Sequence, residues 1–230
     1  SKKPTTKLWI TAWASWTLLN CPGLVGFPNA GKSSLLTAFT NARPKIAPYP
    51  FTTIIPNLGV LRVDDESDII IADIPGIIEG ASEGLGLGDT FLKHITRTSC
   101  LIFMIDCSDE NYLTAYDTLC NELEQYSDEL MEKPRIVLCN KIDVDGAFDR
   151  ALEIQQKIKE TEPETKVIPV SVMGGRGMKD AQKEIVSLVN ELEKRLEEDS
   201  FNSSSEKENS FMAGRAYIDD DEDDYVQYPG

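Results

Sequence analysis

At 230 residues and 41% hydrophobic, the chain is long enough for one α/β domain with a core of its own and tails besides. A formal charge of −16 argues against a general grip on nucleic-acid phosphates, which needs clustered lysine and arginine. One histidine and five scattered cysteines without a Cys-x-x-Cys pair leave nothing with which to build a zinc framework or a histidine triad, and the cysteines read as reduced thiols.

Residues 1–22 read as an atypical leader. Lys2, Lys3 and Lys7 precede the run Leu8 to Leu19, which holds all three tryptophans, Trp9, Trp13 and Trp16. The run is too short to span a bilayer as a helix. A secretory signal is rejected because export would separate the next segment from cytosolic nucleotide. A first strand follows at Gly23-Leu24-Val25, shortened by Pro22, which cannot donate to a central ladder.

That strand runs into Gly26-Phe27-Pro28-Asn29-Ala30-Gly31-Lys32-Ser33, which fits the phosphate-loop pattern Gly-x-x-x-x-Gly-Lys-Ser/Thr. Two glycines let the backbone curl so that successive N–H groups converge on phosphate oxygens. The helix beginning near Lys32 adds the positive end of its dipole. Lys32 can reach the outer phosphates and the Ser33 hydroxyl can hold Mg²⁺.

Ser33 to Phe39 reads as the helix after the loop. Asn41 to Pro56 carries four prolines and reads as a long exposed loop containing Phe51, Thr52, Thr53, Ile54 and Ile55. Leu58 to Val63 and Asp68 to Ala72 read as strands joined by a hairpin turn over 64–67. Asp73-Ile74-Pro75-Gly76 closes the second of them. Gly80, Gly84, Gly86 and Gly88 mark a flexible segment before a helix over Thr90 to Thr98, in which His94 is structural.

Leu101 to Ile105 reads as a buried strand. Tyr112, Tyr116, Leu119, Leu123, Tyr126 and Leu130 recur at helical spacing and form a core-facing stripe. Ile136 to Cys139 is a strand ending in Asn140-Lys141-Ile142-Asp143. Ala147 to Lys159 is a helix, Lys166 to Val170 a strand, and Met178 to Leu196 the last helix. Strands alternating with helices predict an α/β fold, a mainly parallel sheet with helices on both faces. From Glu197 the composition shifts. Leu196 to Gly230 holds eleven acidic and two basic residues, a net of −9, and 197–230 reads as a disordered acidic tail.

Asn140-Lys141-Ile142-Asp143 lies at the carboxyl end of a strand, where open α/β sheets bind ligands. The Asp143 carboxylate can accept from the ring N–H and exocyclic amine of guanine, whereas adenine would leave it unpaired. Lys141 can lie along the base, and Asn140 can tie the segment to the phosphate loop. Ser171-Val172-Met173, after the last strand, can offer backbone N–H groups to the guanine carbonyl. Asp73 can hold Mg²⁺ through water, the Gly76 N–H can meet the γ-phosphate, and Thr52-Thr53 can supply a second hydroxyl for the ion. The γ-phosphate would then order both segments, and hydrolysis would release them.

Several stretches together resemble the Obg GTPases: Gly26 to Ser33, Lys45-Ile-Ala-Pro-Tyr-Pro-Phe-Thr-Thr53, Pro56-Asn-Leu-Gly59, Asp73-Ile-Pro-Gly-Ile-Ile-Glu-Gly-Ala81 and Gly86-Leu-Gly-Asp-Thr-Phe-Leu-Lys-His-Ile95. The resemblance spans about Gly23 to Leu196. It implies a Ras-like P-loop GTPase domain over 23–196, slow Mg²⁺-dependent hydrolysis of GTP to GDP, and action in the cytoplasm, as a monomer, on the large ribosomal subunit during assembly and growth control. Ser33, Thr53 and Asp73 become the expected metal ligands, and Phe51 to Ile55 the first switch. Lys32, Thr53, Gly76 and Asn29 become the residues expected to act on the transferred phosphoryl group. The glycine-rich domain that precedes the GTPase domain in that family has no counterpart in this sequence.

Ile77 stands where many GTPases have a water-orienting glutamine. Two expectations follow. One is a guanine-nucleotide sensor with negligible hydrolysis. The other is a K⁺ ion held by the Asn29 amide oxygen, stabilising charge between the β- and γ-phosphates.

Overall fold

The structure, a computed structural model, describes residues 21–40, 45–46, 57–63, 68–73 and 98–215. Its strands are β1 (Gly23–Gly26), β2 (Lys45–Ile46), β3 (Asn57–Arg62), β4 (Asp68–Asp73), β5 (Leu101–Asp106), β6 (Arg135–Asn140) and β7 (Lys166–Pro169). Its helices are α1 (Lys32–Phe39), α2 (Tyr112–Tyr126), α3 (Asp128–Met131), α4 (Ala147–Thr161) and α5 (Met178–Arg215). Two compact units result, Ser1–Val189 and Asn190–Gly230.

The first unit is built on a seven-stranded sheet of order β2-β3-β4-β1-β5-β6-β7. β1 pairs in parallel with β4 and β5, and β5-β6-β7 continue in parallel. β2-β3-β4 are antiparallel. This is the expected Ras-like α/β sheet, parallel through its centre. β5 is buried along Leu101 to Ile105, as a strand covered on both faces must be.

One layer of the core joins Val25, Phe103, Ile105, Val137 and Cys139 to Tyr116, Leu119 and Leu123 of α2 and Ala151, Ile154 and Ile158 of α4. Tyr116, Leu119, Leu123 and Leu130 of the predicted stripe are therefore core, and Tyr112 packs half-buried against them. Burying each large aliphatic or aromatic side chain contributes about 1.5–3 kcal/mol, so truncating Phe103 to alanine costs about 3–5 kcal/mol. α1 packs on β3, where a Cβ at Gly59 would stand 2.6 Å from Leu36 Cδ2.

Several boundaries differ from the sequence expectation. Lys45–Ile46 pairs with β3 inside the stretch read as loop; a two-residue strand at the sheet edge tolerates its flanking prolines. The single helix expected through Leu130 breaks at Ser127, whose extended backbone (φ −169°) starts α3, with Asp128 and Glu129 at its positive end. The last helix continues past Leu196 to Arg215, so the segment read as disordered from Glu197 is helical as far as Arg215. No proline interrupts 197–215, and glutamate and lysine are good helix formers. Pro22 lies just before β1, where its carbonyl accepts from the Ala72 N–H (3.0 Å) and its missing donor breaks no pairing. The helix expected over Thr90 to Thr98, the tryptophans of the leader and the acidic block Asp219 to Asp224 lie outside the described residues, Thr98 excepted.

Candidate functional site

β1 delivers the chain to the carboxyl edge of the sheet at Gly26, and α1 leaves again at Lys32. The tight return between them needs two left-handed residues, Asn29 (φ 64°) and Gly31 (φ 107°). Gly31 has a second constraint, since a Cβ there would stand 2.4 Å from Asn140 Nδ2. Lys32 Nζ donates to the carbonyls of Gly26 (2.7 Å) and Phe27 (3.2 Å), so its stem wraps the loop it follows. α1 has neither a side-chain cap nor an acidic residue in its first turn, which leaves its N-terminal donors to an anion. Ser33 is exposed in that first turn.

Asp73 ends β4 opposite Leu24 of β1 and is buried at 4% exposure. Ile74, Pro75 and Gly76 lie outside the described residues, as do Phe51, Thr52, Thr53, Ile54 and Ile55.

Two strands from β1, Asn140 ends β6 and is buried. Its Nδ2 donates to the Ala30 carbonyl (2.8 Å), and its Oδ1 accepts from the Val172 N–H (3.1 Å). One amide thus ties the phosphate loop, β6 and the loop after β7, as the sequence predicts for Asn140. Ile142 is buried and donates its N–H to the Val170 carbonyl (3.3 Å), anchoring the turn from inside. That leaves Asp143 exposed. Its Oδ1 accepts from Ser171 Oγ (2.5 Å), and Ser171 Oγ accepts from the Gly174 N–H (2.9 Å). The Ser171 hydroxyl holds the Asp143 carboxyl below the ordinary aspartate range, so it stands ionised as an acceptor. Met173 is 87% exposed and makes the rim.

Sequence reasoning missed Asp106 and Ser108. Asp106 ends β5 in register with Asn140, and its Oδ2 takes the Lys141 ammonium at 2.5 Å. Its Oδ1 accepts from the Ser108 N–H (2.8 Å) and hydroxyl (2.5 Å). Burial pushes the Asp106 carboxyl up, but Lys141 and the Ser108 donors together outweigh it and hold the group below its usual range. The available signal was an aspartate, then a serine two residues on, closing a buried strand beside the one that ends in Asn140.

The site thus combines a tight, left-handed loop at the end of a central parallel strand with an ionised carboxylate on a neighbouring loop, joined by a buried amide. Fold and loop define a P-loop protein with the Ras-like GTPase architecture. Solved relatives agree. Era of Aquifex aeolicus, as a point variant bound to GDP and AlF4−, superposes with a TM-score of 0.54 at 28% identity, over 72% of this chain and 55% of that one. Era in complex with MgGDPNP and a segment of 16S ribosomal RNA gives 0.56 at 28% identity, over 74% and 56%.

The chain belongs to the family described as 50S ribosome-binding GTPase, matched over residues 22–141, and within it to the Obg GTPases. GTPase Obg of Treponema denticola is 58% identical over 172 residues, 75% of this chain and 44% of that protein. GTPase Obg of Chlorobaculum parvum is 49% identical over 163 residues, 71% and 47%. The chain spans less than half the length of these two relatives.

Proposed function

We propose that this chain binds GTP and hydrolyses it slowly to GDP and phosphate in a Mg²⁺-dependent switch cycle. The observation that carries the reading is the Asn140 amide, which links the cradle to the segment bearing the Asp143 acceptor. Residues 26–33 take the phosphates through backbone N–H groups, and Lys32 exchanges its loop carbonyls for the outer phosphates. Asp143 accepts from guanine, with Lys141 along the base and the backbone of Ser171, Val172 and Met173 at the carbonyl edge. Residues 23–196 form the GTPase domain. The acidic segment 197–230 is dispensable for nucleotide binding.

Ser33 and Asp73, with Thr53, are the residues to hold Mg²⁺. A hydroxyl and a buried carboxylate beside β1 suit a hard ion that completes its shell with water and phosphate oxygens. When bound, the ion neutralises charge on the β- and γ-phosphates. Thr53 and the Gly76 N–H, which lie outside the described residues, would act on the transferred phosphoryl with Asn29, whose amide oxygen would hold K⁺ as a second cation.

A guanine-nucleotide sensor with negligible turnover is the competing function, favoured by Ile77 in the place of a glutamine. The expected partner in the complete protein is the large ribosomal subunit. The family description, 50S ribosome-binding GTPase, supports that partner; the 16S ribosomal RNA bound by Era supports a ribosomal association in general and not this subunit. A monomer acting in the cytoplasm is the matching expectation. No helix among the described residues is long and apolar enough to cross a membrane.

Competition of GTP and ATP for the purified chain tests base choice, and single-turnover hydrolysis with and without 50S subunits tests turnover. Equal competition by ATP overturns guanine binding. Hydrolysis no faster than in buffer under both conditions leaves the sensor.

A further inference from the structure

The ion pair between Asp106 and Lys141 has no part in the chemistry above, yet it joins the ends of two neighbouring strands at the mouth of the site. We propose that Asp106 is a positioning residue for the nucleotide: it fixes Lys141 in advance so that the lysine stem is already set for the purine, raising affinity without choosing the base. This rests on the guanine-site assignment just made.

The geometry is built from both sides. β5 and β6 run in parallel with Asp106 opposite Asn140, and the Cys107 N–H continues the ladder to the Asn140 carbonyl (3.0 Å). Lys141 follows at once with φ 66°, a left-handed backbone that a residue with a Cβ adopts only where its surroundings hold it. Its Nζ meets Asp106 Oδ2 at 2.5 Å. The carboxylate is itself immobilised, because Ser108 donates both its N–H and its hydroxyl to Oδ1. The acceptor that fixes Lys141 is therefore fixed first. The Asp106 side chain is 19% exposed and that of Lys141 34%, so water screens the pair only in part.

A free lysine has four rotatable side-chain bonds and loses that freedom when a ligand orders it. A lysine ordered beforehand loses little more on binding, which is how preorganisation raises affinity. Asp106 touches the ammonium, whereas base choice rests on Asp143, two residues further along a turn anchored by Ile142. Affinity and base choice should therefore separate.

The test measures GDP and IDP dissociation constants by calorimetry at fixed ionic strength and pH 7.5. Asp106→Asn keeps the size and an acceptor for Ser108 but removes the charge facing Lys141. It should weaken both nucleotides by about tenfold, the scale of a partly screened charged hydrogen bond, and leave the GDP to IDP ratio unchanged. In a Lys141→Met background the same substitution should change affinity less than about twofold, since the group it acts through is gone. Ser108→Ala, a milder change that retains the ion pair, should weaken GDP about two- to threefold, again only when Lys141 is present. Thermal melts without nucleotide check that each variant is folded.

A loss from Asp106→Asn that persists in Lys141→Met makes Asp106 a brace of the Cys107–Ser108 turn and overturns the proposal. Tighter GDP binding by Asp106→Asn overturns it too, by making the pair a competitor of the base. If the native chain binds ADP as well as GDP, the guanine assignment fails and the proposal falls with it. A native preference for guanine with unchanged affinity in Asp106→Asn overturns the proposal alone.

Discussion

Asn140→Ala is the substitution whose cost follows most directly from the geometry. Asn140 is 3% exposed and joins three segments with two hydrogen bonds, to the Ala30 carbonyl and from the Val172 N–H. Ala30 is 1% exposed, so truncation leaves its carbonyl without this donor in a place water does not reach. A buried acceptor stranded in this way costs about 1–3 kcal/mol. Val172 is only half-buried, its N–H can turn to water, and its loss adds about 1 kcal/mol or less. The sum is a destabilisation of about 1–4 kcal/mol without nucleotide, read as a lower urea midpoint at unchanged slope. GDP affinity should fall as well, by more than about tenfold, because cradle and base segment are no longer held in register.

Asn140→Asp sharpens the test. It keeps an oxygen for the Val172 N–H but faces the Ala30 carbonyl with a second acceptor. Ionised, that carboxyl is buried against a carbonyl; protonated, it can donate to it. Its folded pKa is therefore raised, the folded chain holds the extra proton, and stability falls as pH rises through the carboxylate range. Burial also pushes up the Glu122 carboxyl in the native chain, so the effect of the substitution is read as the extra fall relative to the native chain over the same range. An Asn140→Ala chain within about 0.5 kcal/mol of native stability, with native GDP affinity, would refute the reasoning.

Asp143→Asn should weaken GTP by about tenfold or more and favour xanthosine triphosphate, whose extra carbonyl can accept from the new amide; unaltered GTP affinity in direct titration removes Asp143 from base recognition. Because Ser171 holds the Asp143 carboxyl below its ordinary range, the ratio of GDP to IDP affinity, in which the titration of the terminal phosphate cancels, should stay level as pH falls from about 8 to about 5; a change in that ratio near pH 6 in calorimetry would assign base recognition to another group. GTP hydrolysis should be faster in KCl than in NaCl at equal ionic strength, and Asn29→Ala should abolish the difference; equal native rates in both salts end the K⁺ assignment. Gly31→Ala combines a φ of 107° with a Cβ 2.4 Å from Asn140 Nδ2, so it should lower the melting temperature and abolish GDP binding; native behaviour in both assays would contradict the packing.

Much of this architecture was legible because it rests on short-range rules. Gly26 and Gly31 sit where a strand must turn sharply into a helix, and the all-apolar run Leu101 to Ile105 can only be a strand covered on both faces. The Asn140 tie was legible because a side-chain amide at a strand end has few uses other than bridging loops. What escaped depended on partners distant in sequence. Asp106 and Lys141 are 35 residues apart and meet only through the β5–β6 register, which no local pattern specifies. The break at Ser127 escaped because Leu123 and Leu130 keep helical spacing across it, and periodicity does not register one extended residue. The extension of α5 to Arg215 escaped because acidic composition was weighed above the helix propensity of the same glutamates.

The strand order also separates the two tasks of the site. Phosphate cradle, Asn140, Asp143 and Ser171 all follow β1, β6 or β7, in the parallel half of the sheet, where β5 and β6 are buried nearly throughout. Asp73 follows β4 on the other side of β1, the half completed by the antiparallel strands β2 and β3. β3 has both ends exposed, at Asn57 and Arg62, and β4 begins exposed at Asp68. Backbone bonds beside water open at lower free energy than those of a doubly covered strand. On the proposed function, the guanine end would be fixed to the more deeply buried half, and the end that senses the γ-phosphate would join the half with more exposed strand ends. Amide exchange should accordingly be slower in β5 and β6 than in β3, and bound nucleotide should slow it in the cradle and β6 whether or not a γ-phosphate is present. An effect of the γ-phosphate on β6 as large as that on β4 would mean that the two halves respond as one.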